Sequence, residues 1–164
     1  TIWERDPEPY ALPWAYIGDG NNMANGYIAL AGLTGLDLRI ACPKGYAPDA
    51  NYVKRAKEMG ANITVTDDVK AACQGAKVLL TDVWASMGQE GEAHARQAAF
   101  AGFQIDQAAV DVADDPYVLH CLPAHRGEEV SAEVCDGPQS VIFDEAENRL
   151  HAQKALMLVL MGAA

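Results

Sequence analysis

The sequence predicts an α/β fold: a doubly wound, Rossmann-like parallel sheet of about five strands with helices on both faces, making three layers. Three observations lead there. Apolar runs of strand length alternate with helical patterns almost from end to end. Those runs are bounded by Gly, Pro, Asn and Asp, the residues that stop strands and start helices. The length, 164 residues, suits one core rather than two.

Taken in order, Leu12 to Ile17 reads as a first strand, followed by the loop Gly18-Asp19-Gly20-Asn21-Asn22 and a helix from about Met23 to Leu33. Gly35 stops that helix, because glycine accepts the left-handed conformation of a helix C-cap. Leu36 to Ala41 is a second strand. Pro48 and Asp49 suit the start of a helix on which Tyr52, Val53, Ala56 and Met59 share one face, with Gly60 ending it. Ile63 to Thr66 supplies a third strand, Val69 to Cys73 a short helix, and Val78 to Thr81 a fourth strand. Helices at Glu90 to Ala99 and Gln107 to Ala113 lead to a fifth strand, Tyr117 to Leu122. The apolar run Ser140 to Phe143 precedes a long helix from about Glu145 to Met161.

Composition excludes several functions. The 12 Lys and Arg against 23 Asp and Glu give a formal net charge of -11, which repels a phosphate backbone, so neither nucleic acid nor an anionic membrane is an expected partner. No apolar stretch approaches the ~20 residues that span a bilayer. Cys42, Cys73, Cys121 and Cys135 contain no C-x-x-C pair. They suit free thiols in a reducing cytoplasm better than the two disulfides of a secreted chain. His94, His120, His125 and His151 show no H-x-x-x-H or mixed Cys/His spacing, so no metal is expected.

Ligands of open parallel sheets bind beyond the carboxyl ends of the strands. Here those ends carry Gly18 to Asn22, Asp82-Val83-Trp84 and His120-Cys121-Leu122-Pro123. The first loop is no dinucleotide fingerprint: G-x-G-x-x-G needs glycine where Met23 stands, and the second strand ends in Cys42-Pro43 rather than an acid. Each remaining candidate has a plainer reading. Asn21 and Asn22 suit a turn and helix cap, Asp82 a solvated strand end, Cys121 a buried small hydrophobe and His120 a satisfied core histidine. Arg149, near a helix start where a cation opposes the dipole, suits an i,i+4 pair with Glu145.

Five segments nevertheless resemble one family. They are Y-I-G-D-G-N-N-M (16–23), P-K-G-Y-x-P-D (43–49), T-D-V-W-A-S-M-G-Q-E (81–90), H-C-L-P-A-H-R-G-E-E-V (120–130) and F-D-E-A-E-N-R-L-H-A-Q-K-A (143–155). In this order they resemble the C-terminal, ornithine-binding domain of the ornithine carbamoyltransferases. The resemblance implies transfer of a carbamoyl group from carbamoyl phosphate to the side-chain amine of L-ornithine, giving citrulline and phosphate, with no cofactor. It implies that Asn22, Asp82, Ser86 and Met87 hold ornithine, that Cys121 and the Leu122 backbone lie beside the reacting groups, and that Arg149 polarises the carbamoyl oxygen. Residues 1–11 then read as a remnant of an interdomain helix or linker and 12–164 as the ornithine-binding domain. The S-T-R-T-type motif of a carbamoyl-phosphate domain does not occur. That domain is expected as a partner in cis or trans, within a trimer-based homo-oligomer.

Departures from the family pattern are Gly26, where serine is usual, and F-A-G-F-Q-I-D at 100–106. The C-terminal helix is apolar nearly all round through Leu156, Leu158, Val159, Leu160 and Met161, so it is expected to self-associate or to be disordered without a covering partner. Two rival functions stay open: a carbamoyltransferase for another amine such as putrescine, and a non-catalytic α/β scaffold domain.

Overall fold

The structure, a computed structural model, describes residues 1–85, 91 and 93–163. Two short 3-10 turns, Ile2–Glu4 and Pro9–Ala11, lead into the sheet. The order is then β1 (Trp14–Ile17), α1 (Asn22–Thr34), β2 (Asp37–Ala41), α2 (Ala50–Glu58), β3 (Asn62–Thr66), α3 (Val69–Cys73) and β4 (Val78–Thr81). It continues with α4 (Ala93–Phe100), α5 (Gln107–Val112), β5 (Tyr117–His120), α6 (Ala132–Cys135) and α7 (Ile142–Leu160). The five strands are parallel and lie in the order β3-β2-β1-β4-β5. The chain therefore winds outward from β1 through β2 and β3, then returns to the other side of β1. The switch point falls between β1 and β4.

Side chains alternate across the sheet with the two-residue period of a strand. Trp14, Tyr16, Leu38, Ile40, Val78, Leu80 and Leu119 face one way and pack with Ala24, Ile28 and Ala31 of α1 and Ala56 of α2. Ala15, Ile17, Ala41, Leu79 and Val118 face the other way, against Ala72 and Cys73 of α3, Ala109 and Val110 of α5, and Val134 and Cys135 of α6. Burial on both faces explains why these strands read as continuous apolar runs.

At α1 and α2 the helix punctuation is as the sequence predicts: Asn21 and Asp49 cap these helices through their side chains, and Gly35 closes α1 at φ 77°. Asp68 and Asp106 cap α3 and α5 in the same way, which the sequence reading does not single out. The boundaries differ where a backbone group is committed elsewhere. β1 begins at Trp14 rather than Leu12, because Pro13 has no N–H and offers the sheet only its carbonyl, which accepts from Lys77. β5 ends at His120 rather than Leu122, whose φ of 56° turns the chain. The run Ser140 to Phe143 divides: Ser140 makes an isolated bridge to Val118, while Ile142 and Phe143 open α7. The short helix α6, capped by Ser131, has too few residues for a periodic signal. The start of the helix expected from Glu90 lies outside the described residues.

The expected disorder of the C-terminal end is not what the structure has: α7 is helical to Leu160. Its outer half is exposed, with Leu156 at 58% and Leu160 at 77%.

Candidate functional site

Register builds the site. Ile17 pairs with Thr81, and Thr81 with His120. The next residue of each strand, Gly18, Asp82 and Cys121, therefore emerges at one level on the carboxyl edge, side by side across the switch point. Three segments far apart in sequence meet there.

Asp82 is the hub, only 7% exposed. Its Oδ2 accepts from Asn21 Nδ2 at 3.0 Å. Its Oδ1 accepts from Val83 N–H at 2.8 Å and from the Cys121 thiol at 3.1 Å. A carboxylate offers about four lone-pair directions, and among the described residues three are engaged. Asn21 cannot turn its amide over, because its Oδ1 caps α1 by accepting from Met23 N at 2.9 Å. The helix cap thus orients the amide that orients the acid.

Cys121 is half-buried. Burial first, then the hydrogen bond to Asp82 and the charges of Asp82 and Glu145, push its thiol up to about 12. At neutral pH it is a neutral S–H donor, not a thiolate nucleophile. Behind it, His120 is buried, its backbone N–H donating to Glu145 Oε2 at 2.8 Å. Burial raises the Glu145 carboxyl, and the His120 N–H opposes that shift. The pairing of Arg149 with Glu145 that local spacing suggests does not form among the described residues. Glu145 turns to the end of β5 instead.

Asn22 is the first residue of α1 and exposed. It lies at the rim, but the side chain that reaches Asp82 is that of its neighbour Asn21. Arg149 is exposed on α7, one turn beyond Glu145, which sets their Cβ atoms about 6 Å apart. Ser86 and Met87 lie outside the described residues. Gly20 has a packing reason: a Cβ there would stand 2.2 Å from Pro48 N and 2.5 Å from the Tyr46 carbonyl.

A scan of family models matches residues 11–160 to the aspartate/ornithine carbamoyltransferase Asp/Orn-binding domain. The chain belongs to this family.

Among curated relatives, the ornithine carbamoyltransferase of Syntrophotalea carbinolica is 53% identical over 163 residues, covering 99% of this chain and 54% of the relative. That of Methylococcus capsulatus is 56% identical over 150 residues, covering 91% and 49%. Among solved structures, the ornithine carbamoyltransferase from Pyrococcus furiosus superposes with a TM-score of 0.91 at 44% identity, over 99% of this chain and 54% of that one. The chain spans about half the length of the relatives it matches.

The carbamoyltransferase domain also holds residues that sequence reasoning passes over. Arg96, 7% exposed, donates to Asp19 Oδ2 at 2.6 Å and to the Trp84 carbonyl at 2.8 Å. Its guanidinium lies 5.1 Å from the centre of the Tyr46 ring. This buried pair ties the β1 loop to the segment that leaves β4. Tyr16 and Tyr27 approach behind Asp82, their ring centres 5.9 Å apart. Burial raises both phenols first, with Asp82 adding to each. The Tyr16 hydroxyl is enclosed and has no partner among the described residues. His125, Glu128 and Glu129 bring potential metal-ligand atoms within 4.8 Å of one another, a grouping that sequence spacing does not pick out.

Proposed function

We propose that this chain is the ornithine-binding half of an ornithine carbamoyltransferase: residues 12–164 are the ornithine-binding domain and 1–11 the linker ahead of it. The observation that carries the reading is the convergence of Asn21, Asp82 and Cys121 at the switch point of a domain from this family.

Asp82 holds ornithine's α-ammonium through a lone-pair direction left open by the described residues, a charge-assisted bond worth about 1.5–3 kcal/mol. Asn22, Ser86 and Met87 complete the grip on the amino-acid end. The neutral side-chain amine attacks the carbonyl carbon of carbamoyl phosphate. A C–N bond forms, the C–O bond to phosphate breaks, and the proton given up by the nitrogen goes to the departing phosphate. The Cys121 thiol and the Leu122 backbone border the reacting carbon, and Arg149 stabilises the oxygen as it gains charge. Carbamoyl phosphate itself is held mainly by a second domain, in cis or trans, and the complete enzyme is a trimer-based homo-oligomer of the cytoplasm. Four free cysteines support that compartment.

Mixing this chain with a separately produced carbamoyl-phosphate domain is expected to yield citrulline from ornithine but not carbamoyl-putrescine from putrescine. Titration of the chain alone with both amines separates the readings further. Preference for putrescine favours the second substrate. No citrulline in the mixture, together with no binding of either amine, favours a scaffold role.

A further inference from the structure

The turn after β5 contains a run of hydrogen bonds, centred on a buried His–Glu pair, to which the reaction above gives no task. Leu122 N–H donates to His120 Nδ1 at 2.9 Å. Only a neutral imidazole with Nδ1 unprotonated accepts there, so the ring proton is on Nε2. Nε2 lies 3.0 Å from Glu129 Oε1 and donates to it. The same oxygen accepts His125 N–H at 2.6 Å, and both side chains of the His120–Glu129 pair are 0% exposed. Glu129 Oε2 accepts no hydrogen bond among the described residues and lies 3.8 Å from His125 Nδ1, so the hydrogen bonds that aim the carboxylate are those to Oε1.

A charged carboxylate is enclosed at a cost that a core-filling residue would not incur, which argues that this pair has a directional task. Its far end shows which. Leu122 stands at φ 56°, a conformation that residues with a Cβ avoid. Its own N–H is bound to the imidazole, a restraint on that conformation. That same turn sets where the Cys121 thiol and the Leu122 backbone face.

We propose that His120 and Glu129 are positioning residues: a carboxylate–imidazole–amide relay that locks the Cys121–Leu122 turn in its left-handed geometry, with His120 held neutral as the Nε2–H tautomer. The importance of the turn rests on the carbamoyl-transfer reading, but the relay is testable without it.

Three variants separate direction from bulk. His120→Asn keeps an acceptor where Nδ1 sits and gives up the arm to Glu129. His120→Leu keeps the volume and removes the acceptor. Glu129→Gln keeps an oxygen for Nε2–H. Nitrogen-15 spectra of the unmodified chain are expected to show a neutral His120 with the proton on Nε2. Hydrogen exchange at the Leu122 amide is expected to speed up on the order of tenfold to a hundredfold in His120→Leu, the effect of one lost part-buried hydrogen bond. In His120→Asn and Glu129→Gln it stays near the parent rate. With a carbamoyl-phosphate domain supplied, kcat for citrulline falls in His120→Leu and recovers in His120→Asn, while the KM for ornithine changes less.

A protonated Nδ1 in the parent spectrum overturns the relay, whether or not any variant folds. So does unchanged Leu122 protection in His120→Leu. If the parent mixture makes no citrulline, the carbamoyl-transfer reading fails, and the imidazole and amide measurements still decide the relay.

Discussion

Replacing Asp82 with asparagine keeps the shape of the hub and removes its charge, and the hydrogen bonds around it dictate how the new side chain sits. Oδ1 accepts from Val83 N–H and the Cys121 thiol, so the new carbonyl oxygen belongs there. The new NH2 group then takes the place of Oδ2 and faces Asn21 Nδ2, formerly 3.0 Å away, donor against donor. Asn21 relieves the conflict only by turning over, which withdraws Oδ1 from Met23 N and gives up a helix cap worth about 1 kcal/mol. Leaving a buried donor unsatisfied costs about 1–3 kcal/mol. A loss of about 1–2 kcal/mol is therefore expected, lowering Tm by roughly 2–8 °C for a chain of this size. The ligand loses its charge-assisted bond as well, about 1.5–3 kcal/mol, which weakens ornithine roughly tenfold to 150-fold. Calorimetric titration with L-ornithine beside a thermal melt reads both quantities. Equal ornithine affinity in a folded Asp82→Asn protein would refute the role given to Asp82, whatever the melt shows.

Further outcomes come from single features. Burial raises the thiols of Cys42 to about 11 and of Cys73 and Cys121 to about 12, from 9.0. Between those limits the unfolded chain has lost protons that the folded chain keeps, so stability falls as pH rises above about 9; urea midpoints at pH 8 and pH 10 check it, and Cys73→Ala should reduce the drop. Gly20→Ala drives a Cβ into the backbone at 46–48 and should destabilise by about 1–3 kcal/mol. Gly26→Ala, in a helix with nothing within 4 Å of the new Cβ, should stabilise by about 0.5–1 kcal/mol; equal melts for the two variants would contradict the packing argument. Arg96→Ala leaves Asp19 buried without this guanidinium and should cost about 3–5 kcal/mol by denaturant titration. Charged substitutions at the exposed Leu156, Val159 and Leu160 should abolish any self-association seen by size exclusion at high concentration.

The strands, the helix caps and the end of α1 are legible in the sequence because each depends on neighbours along the chain. Asn21 caps the helix that begins at the next residue. Val78 to Leu80 is an unbroken apolar run, as suits a strand covered on both faces of the sheet. The order of the strands lies deeper, but the alternation of elements narrows it. The candidate site is legible only as three polar strand ends. Spacing sets Asn21 as a cap in competition with a site, yet it is both, its oxygen on the helix and its nitrogen on Asp82. Spacing also assigns Glu145 to Arg149, whereas Glu145 binds the backbone of His120, 25 residues away. Position along a helix reports which side chains are neighbours, not which neighbour offers the better-oriented or less solvated partner.

By itself the sequence determined the α/β class, the punctuation of its elements and, through five quoted segments, the family. The tertiary structure alone decided that Gly18, Asp82 and Cys121 emerge at one level, that the Asn21 amide and the Cys121 thiol both reach Asp82, and that Glu129 reaches His120. The reason is physical: periodicity and capping arise from interactions over a few residues. The meeting of residues 21, 82 and 121 depends instead on hydrogen-bond ladders between strands far apart in the chain, whose register exists only once the sheet has formed.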